Sequence, residues 1–258
     1  MDLGIAGRTA LVCASSKGLG KGCARALAEA GCRVIINGRT MASLEATADE
    51  LRSSGADIIA IAADVGTPEG RQALLAAAGP VDILVNNNGG PPFRNFREVD
   101  RDAMIAGVDA NMITPIELIK AVIDGMCERG FGRIVNITSS SVKAPIAGLD
   151  LSSGARAGLT AFLAGVARTV AMHNVTINQI MPGAFDTDRL KSNFERAAQS
   201  SGAPVDTVTA SRRKAIPAQR FGTADEFGAL CAFLCSTQAA YITGQSILID
   251  GGAVVTTL

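Results

Sequence analysis

The sequence predicts a doubly wound α/β domain built on a parallel sheet, and three observations carry that expectation. Apolar runs of strand length alternate with segments of helical period along the chain. The runs themselves (ALVCA, VIIN, DILV, RIVNI, ILI) are almost continuously apolar, as strands are when helices cover both faces of a sheet. A glycine-rich turn, Cys13-Ala14-Ser15-Ser16-Lys17-Gly18-Leu19-Gly20, joins the first run directly to the first helical segment. Successive strand–helix–strand units of this kind close into a parallel sheet with right-handed crossovers.

Taken in order, 8–14 reads as a strand, 18–30 as a helix, 33–37 as a second strand and 41–53 as a helix with Thr40 placed at its N-cap. Strands follow at 57–63 and 81–86, then a long helix over 102–129 and a strand at 132–138. A helix over 152–172, a strand at 175–181, a helix over 224–236 and a strand at 246–250 complete the pattern. Asp150 stands where it can cap the helix that follows, and His173-Asn174 reads as that helix's stop. No repeat, low-complexity tract or linker divides the chain, so 1–258 reads as a single domain. The exception to the rhythm is 188–215, a polar, helix-like insert of the kind that closes over a site.

With 258 residues, 48% hydrophobic and 19% charged, the chain can bury a large core and is not disordered. Its 24 basic and 24 acidic side chains balance, which argues against nucleic acid and against an anionic membrane surface as partners. Residues 228–249 carry no charge, but Ser236, Thr237, Gln238, Thr243, Gly244, Gln245 and Ser246 interrupt them, so a buried helix and strand are expected there. The first residues, with Asp2 and Arg8, hold no apolar leader. Six cysteines lack any CxxC or zinc-like spacing, which predicts reduced core thiols, no metal site and a cytoplasmic protein.

The chemistry begins at the glycine turn. Backbone amides of Ala14, Ser16, Lys17, Gly18, Leu19 and Gly20 would approach a diphosphate, with the following helix N-terminus favouring its charge. At the end of the second strand a free ribose 2′-hydroxyl normally meets Asp or Glu, whereas this chain has Asn37-Gly38-Arg39. Arg39 and Lys17 converging on one ribose fit a 2′-phosphate, so NADP(H) is expected over NAD(H). Asp64 and Val65 follow the third strand, facing the adenine. Asn87 and Gly89, in Asn86-Asn87-Asn88-Gly89-Gly90, would let backbone pass close to the adenosine ribose.

These segments resemble the short-chain dehydrogenase/reductase family nearly end to end, most closely its 3-oxoacyl-carrier-protein reductase-like branch. The family's TGxxxGxG turn matches Cys13 to Gly20 and its NNAG matches Asn86 to Gly89. Its catalytic Asn matches Asn111, its catalytic Ser matches Ser139, and its PGxxxT matches Pro182-Gly183-Ala184-Phe185-Asp186-Thr187. The C-terminal YITGQSILIDGG is also similar. The resemblance implies a Rossmann fold, a carbonyl or alcohol substrate, Pro182, Gly183 and Thr187 at the nicotinamide carboxamide, and Asn111 at a helix kink holding a water. It also implies a homo-oligomer, usually a tetramer, built on the helices near 102–129 and 152–172 and on the last strand.

Two departures bear on function. Cys13 and Ala14 stand for the family's Thr and first Gly, and an Ala methyl there requires a negative φ. The family's YxxxK falls on Ser152 and Arg156. A phenol of pKa about 10, lowered by a cation, can protonate an alkoxide, whereas a serine hydroxyl is a far weaker acid. Arg156 keeps the positive charge and can hold ribose hydroxyls, but it is a poor proton relay. The one tyrosine, Tyr241, lies far along the chain in the YITG segment. Lys143, four residues after Ser139, is the alternative acid if burial lowers its pKa. The Arg212-Arg213-Lys214 run of the insert is either a solvated face or a contact for an anionic substrate. Three readings stay open: an NADP(H)-dependent oxidoreductase with a degenerate tetrad, a cofactor-binding pseudoenzyme or assembly subunit, and non-redox chemistry such as dehydration or isomerisation on the same scaffold.

Overall fold

The computed structural model describes residues 2–91 and 93–255. Seven parallel strands form one sheet: β1 (Thr9–Val12), β2 (Arg33–Gly38), β3 (Ile58–Ala62), β4 (Ile83–Asn86), β5 (Gly132–Ile137), β6 (Val175–Pro182) and β7 (Ser246–Ile249). Their spatial order is β3-β2-β1-β4-β5-β6-β7, so the order reverses between β1 and β4 and a crevice opens at the C-terminal ends of those two strands. Alternation along β1 sets the two sides of the core. Ala10 and Val12 pack with Cys23 and Leu27 of α1 (Gly18–Glu29), Leu44 of α2 (Met41–Arg52), and Phe227 and Leu234 of α9 (Ala224–Cys235). Leu11 and Cys13 face the other way, with Leu74 of α3 (Pro68–Ala78), Leu118 of α5 (Thr114–Glu128), and Leu159 and Leu163 of α6 (Asp150–Val170).

Helices α1 and α9 touch backbone to backbone. A Cβ on Gly22 would lie 2.1 Å from the Ala224 carbonyl oxygen, and one on Gly228 would lie 2.2 Å from that of Gly22. This close packing fixes the N-terminus of α1 over the crevice. Helix α9 starts with a full capping box between Thr223 and Glu226, where the guanidinium of Arg220 also holds the Glu226 carboxyl down at a pKa of about 2.

The strand pattern stands as expected, and the helices depart from it in instructive places. Helix α3 was not expected at all, because its alanine-rich sequence buries only Leu74 and Ala78 and so shows no apolar stripe. Its ends carried the signal: the Thr67 hydroxyl accepts from the Gly70 amide, Pro68 opens the helix, and Gly79 closes it at φ +67°. The long helix expected over 102–129 is three pieces: α4 (Arg101–Val108), a π-helical turn at Asp109–Ile113, and α5. Thr40 is the N-cap of α2, yet its side chain makes no capping bond. Asp150 lies inside the first turn of α6 with Leu149 as N-cap, so its carboxylate serves the helix dipole instead of capping. His173 ends a short 3-10 turn, and Asn174 breaks it in the left-handed region at φ +57°.

The insert at 188–215 forms two helices, α7 (Asp188–Ser201) and α8 (Val205–Lys214), and α8 buries none of its residues. Arg212, Arg213 and Lys214 are exposed there. The small residues of α6 divide: Gly158 packs inside the subunit against the Met112 sulfur, while Ala161 and Ala164 are exposed. All six cysteines are free thiols, with Cys127 the only one not fully buried. Among the described residues no helix is long and apolar enough to cross a membrane, and no cluster of metal-ligating side chains occurs.

Candidate active site

The crevice is lined at one end by the glycine turn. Ser15 clamps the turn to the end of β2: its amide donates to the Asn37 carbonyl (2.8 Å), its hydroxyl donates to the Val12 carbonyl (2.7 Å), and the Asn37 amide donates to that hydroxyl (3.0 Å). Sequence reasoning passed over Ser15 because nothing in its spacing marks it. Asn87 reaches across from β4, its Nδ2 donating to the Ala14 carbonyl (3.1 Å). Gly20 sits in the angle between them, where a Cβ would fall 2.4 Å from that carbonyl oxygen. Gly18, at φ +58°, and Leu19 then open α1. Its N-cap, Lys17, makes no side-chain capping bond, and the first turn holds no acidic residue. The leading amides of α1 are therefore left to a ligand, and their field favours an anion.

Ala14 corrects the sequence expectation. Its φ is +45°, in the left-handed region, so the methyl is accommodated with strain instead of at a relaxed negative φ. Cys13 beside it is wholly buried, and burial pushes its thiol up to about 12, which makes it inert.

Gly38 brings the end of β2 against the turn, since a Cβ there would lie 3.5 Å from the Ser16 hydroxyl oxygen. Arg39 follows, exposed and with no carboxylate within salt-bridge distance among the described residues. Lys17 is turned toward the insert. Its ammonium is 3.6 Å from Asp188 at the start of α7, so it is engaged by the insert. Asp64 is exposed and accepts from the Gly66 amide (2.9 Å), while Val65 is buried beside Asn87. Gly89, exposed, donates its amide to the Asn88 side chain at 2.8 Å. Pro182 ends β6, and the Gly183 amide donates to Ile249 (3.0 Å). Thr187 caps α7 and lies against Gly18, so the insert begins directly over the glycine turn.

The other end of the crevice gathers Asn111, Ser139, Ser152 and Arg156. Ser139 caps a short 3-10 turn, and its Oγ accepts from the Ser141 amide (3.1 Å) and hydroxyl (2.9 Å), which leaves its own proton to donate. Ser141, fully buried, is a second residue that the sequence did not single out. Asn111 is buried in the π-helical turn, with Nδ2 toward the Gly107 carbonyl (3.4 Å) and Oδ1 unpartnered. Asn111 lines a water-sized cavity of about 20 Å³ that Asn86, Thr114, Asn136 and Arg156 also border.

Arg156 is the hub. Its guanidinium donates to the Ile137 carbonyl (2.5 Å), the Ser152 hydroxyl (3.2 Å) and the Asn88 carbonyl (3.4 Å). Burial, followed by repulsion from Arg189, pulls its pKa down to about 10, so it is a cation at neutral pH. Three of its five N–H groups are used, and two remain for a ligand. Lys143 is exposed, so the burial that would make it a proton donor is absent. Tyr241 is wholly exposed.

A parallel sheet whose order reverses beside a glycine turn, with a Ser, an Asn and a buried cation across the crevice, defines a dinucleotide-binding domain with a reaction site attached. Residues 13–254 match the family model described as Enoyl-(Acyl carrier protein) reductase. The chain belongs to the short-chain dehydrogenase/reductase family. It is 31% identical to NADPH-dependent reductase BacG of Bacillus subtilis, over 95% of this chain and 97% of that protein. It is 33% identical to the 3-oxoacyl-acyl-carrier-protein reductase FabG of Vibrio cholerae, over 97% and 98%. Among solved structures, L-sorbose reductase of Gluconobacter frateurii, complexed with NADPH and L-sorbose, superposes with a TM-score of 0.94 at 27% identity over 99% of this chain and all of that one.

The strain at Ala14 is testable. Ala14→Gly should raise stability by about 0.5–1 kcal/mol, the left-handed penalty offset by glycine's greater unfolded-state entropy. The urea midpoint reads it, and a lower midpoint would refute the strain.

Proposed function

We propose that the protein is an NADP(H)-dependent oxidoreductase that interconverts a small-molecule carbonyl and its alcohol. The observation that carries this reading is the phosphate end of the crevice: uncapped leading amides of α1 beside a β2 end that offers Arg39 and no carboxylate. The family membership and the NADPH-dependent relatives support it.

The residues fit the cofactor, because the N-terminus of α1 at the glycine turn carries no side-chain cap and no acidic residue in its first turn. In this reading Ala14, Ser16, Lys17, Gly18, Leu19 and Gly20 hold the diphosphate, and Arg39 meets the 2′-phosphate. Asp64 and Val65 border the adenine, Asn87 and Gly89 the adenosine ribose, and Pro182, Gly183 and Thr187 the carboxamide. The cofactor supplies hydride chemistry when bound. Ser139 donates its hydroxyl proton to the substrate oxygen and orients it. The free N–H groups of Arg156 hold ribose hydroxyls and stabilise negative charge developing on that oxygen. Ser152 is a hydrogen-bond acceptor for Arg156 and no acid, so the tetrad is degenerate. The proton comes from water, with Asn111 positioning one in the cavity behind Arg156. Lys143 has no part in this scheme.

We also propose a cytoplasmic homo-oligomer, a tetramer by family resemblance. Exposed Met104, Ile105, Val108, Ile113 and Phe162 form the apolar surface of α4, the π-helical turn and α6 that supports it. Light scattering of the purified protein should give four chains, and a monomer would refute the assembly.

Two further outcomes are expected. Arg39→Asp should weaken NADPH binding about tenfold or more and leave NADH nearly unchanged. Calorimetric titration of both nucleotides decides it, and equal losses would remove Arg39 from the phosphate site. Ser152→Tyr with Arg156→Lys should raise the rate of carbonyl reduction by restoring a phenol beside an ammonium. NADPH binding without turnover in both forms would instead favour a pseudoenzyme.

A further inference from the structure

Arg189 belongs to no role described so far. It lies in the first turn of α7, two residues after Thr187, yet its guanidinium folds back over the end of β4. A Cβ on Gly90 would fall 2.6 Å from its Nη2 and 2.9 Å from its Nη1, so the guanidinium lies directly on the Gly90 backbone. Neither Arg189 nor Arg156 has a carboxylate within 4.0 Å among the described residues. The acids nearest in sequence to Arg189 are committed elsewhere: Asp188 to Lys17 (3.6 Å) and Asp186 to Lys191 (3.5 Å). Desolvation and the charge of Arg196 lower the pKa of Arg189, and Arg189 in turn disfavours the charge on Arg156. Arg189 over Gly90 and Arg156 on the Asn88 carbonyl thus bring two cations to neighbouring residues of one loop with no acid paired to either among the described residues.

We propose that Arg189 and Arg156 together bind a carboxylate that the substrate carries next to its reacting carbon, which makes the substrate an oxo acid instead of a neutral ketone or sugar. This rests on the oxidoreductase reading for which end of the crevice reacts. The cofactor's diphosphate is the other anion to consider, and the geometry separates the two. The insert presents Thr187 to Gly18 of the glycine turn, and presents Arg189 to Gly90, on the side of Asn88 and Arg156. A guanidinium takes a carboxylate through two parallel N–H bonds, which Arg189 can offer, while Arg156 on the Asn88 carbonyl adds its positive potential. A carboxylate held there also places the adjoining carbonyl oxygen in the positive potential of both side chains. That serves a site whose tyrosine position holds only Ser152.

The test uses Arg189→Gln and Arg189→Lys of the full chain. Turnover with NADPH is measured on a panel of 2- and 3-oxo acids and their methyl esters, and NADPH affinity by calorimetry. The wild type should prefer acids over esters by about tenfold or more in kcat/KM. Arg189→Gln should abolish that preference through the acids alone, Arg189→Lys should restore part of it, and NADPH affinity should stay unchanged. Equal losses on acid and ester, or a wild type indifferent to the carboxylate, would overturn the proposal. Loss of NADPH affinity in Arg189→Gln would assign the pair to the diphosphate and overturn it as well. A second readout stands apart from turnover: oxamate, but not acetamide, should raise the melting temperature of wild type and not of Arg189→Gln. If oxamate protects and nothing turns over, the anion site stands and the oxidoreductase reading falls; if oxamate fails to protect, the anion site falls.

Discussion

A guanidinium buried without a carboxylate to neutralise it has to be held by dipoles, and the way Arg156 is held organises the reacting half of this fold. Its three bonds run to the end of β5 at Ile137, the end of β4 at Asn88, and its own helix at Ser152. Each partner is an oxygen dipole, so the positive charge is oriented but not cancelled. The ends of two strands and the first turns of α6 are thereby locked into one frame. What remains of the charge points at the cavity that Asn111 and Asn136 line. A salt bridge would have given the same rigidity and removed the potential on which an oxyanion site depends.

The π-helical turn at Asp109–Ile113 supports the same frame from the other side. The extra residue puts Asn111 indoors while Ile113 stays exposed, and its Oδ1 is free of the helix ladder. Below it, Asn86 and Asn136 pair across neighbouring strands, Nδ2 to Oδ1 at 3.0 Å, which places amide dipoles beside the apolar walls that Val65, Pro115, Leu118 and Leu159 supply. Polar groups in such a place are costly unless they are satisfied, and this network meets part of that requirement internally.

What the sequence made legible follows from what each signal measures. Strands such as VIIN and RIVNI declare themselves, because burial on both faces demands apolar residues at every position. Helix α3 escaped because alanines at its buried positions carry almost no contrast, although Thr67, Pro68 and Gly79 marked its ends. The family motifs singled out Asn111, Ser139, Ser152 and Arg156, and the structure bonds Ser152 to Arg156 and sets Asn111 and Arg156 on one cavity. Side-chain direction was beyond reach: nothing in the order of residues turns Lys17 toward Asp188, and nothing announces that Arg189 lies on Gly90. Ala14 shows the same limit for backbone, since a β-carbon in the left-handed region is a property of the turn and not of the residue.

Those directions matter most in the first turn of α7. The extended N-cap Thr187 and the first two helical residues reach three different places. Thr187 lies on Gly18, Asp188 pairs with Lys17, and Arg189 covers Gly90. The first two touch the glycine turn and the third touches the end of β4, so one short piece of backbone bears on both ends of the crevice. The backbone of that short stretch sets Thr187 and Arg189 at a fixed spacing, while the Arg189 side chain keeps its own rotamer freedom. The insert therefore touches the phosphate end through Thr187 and Asp188 and the reacting end through Arg189, all within three consecutive residues.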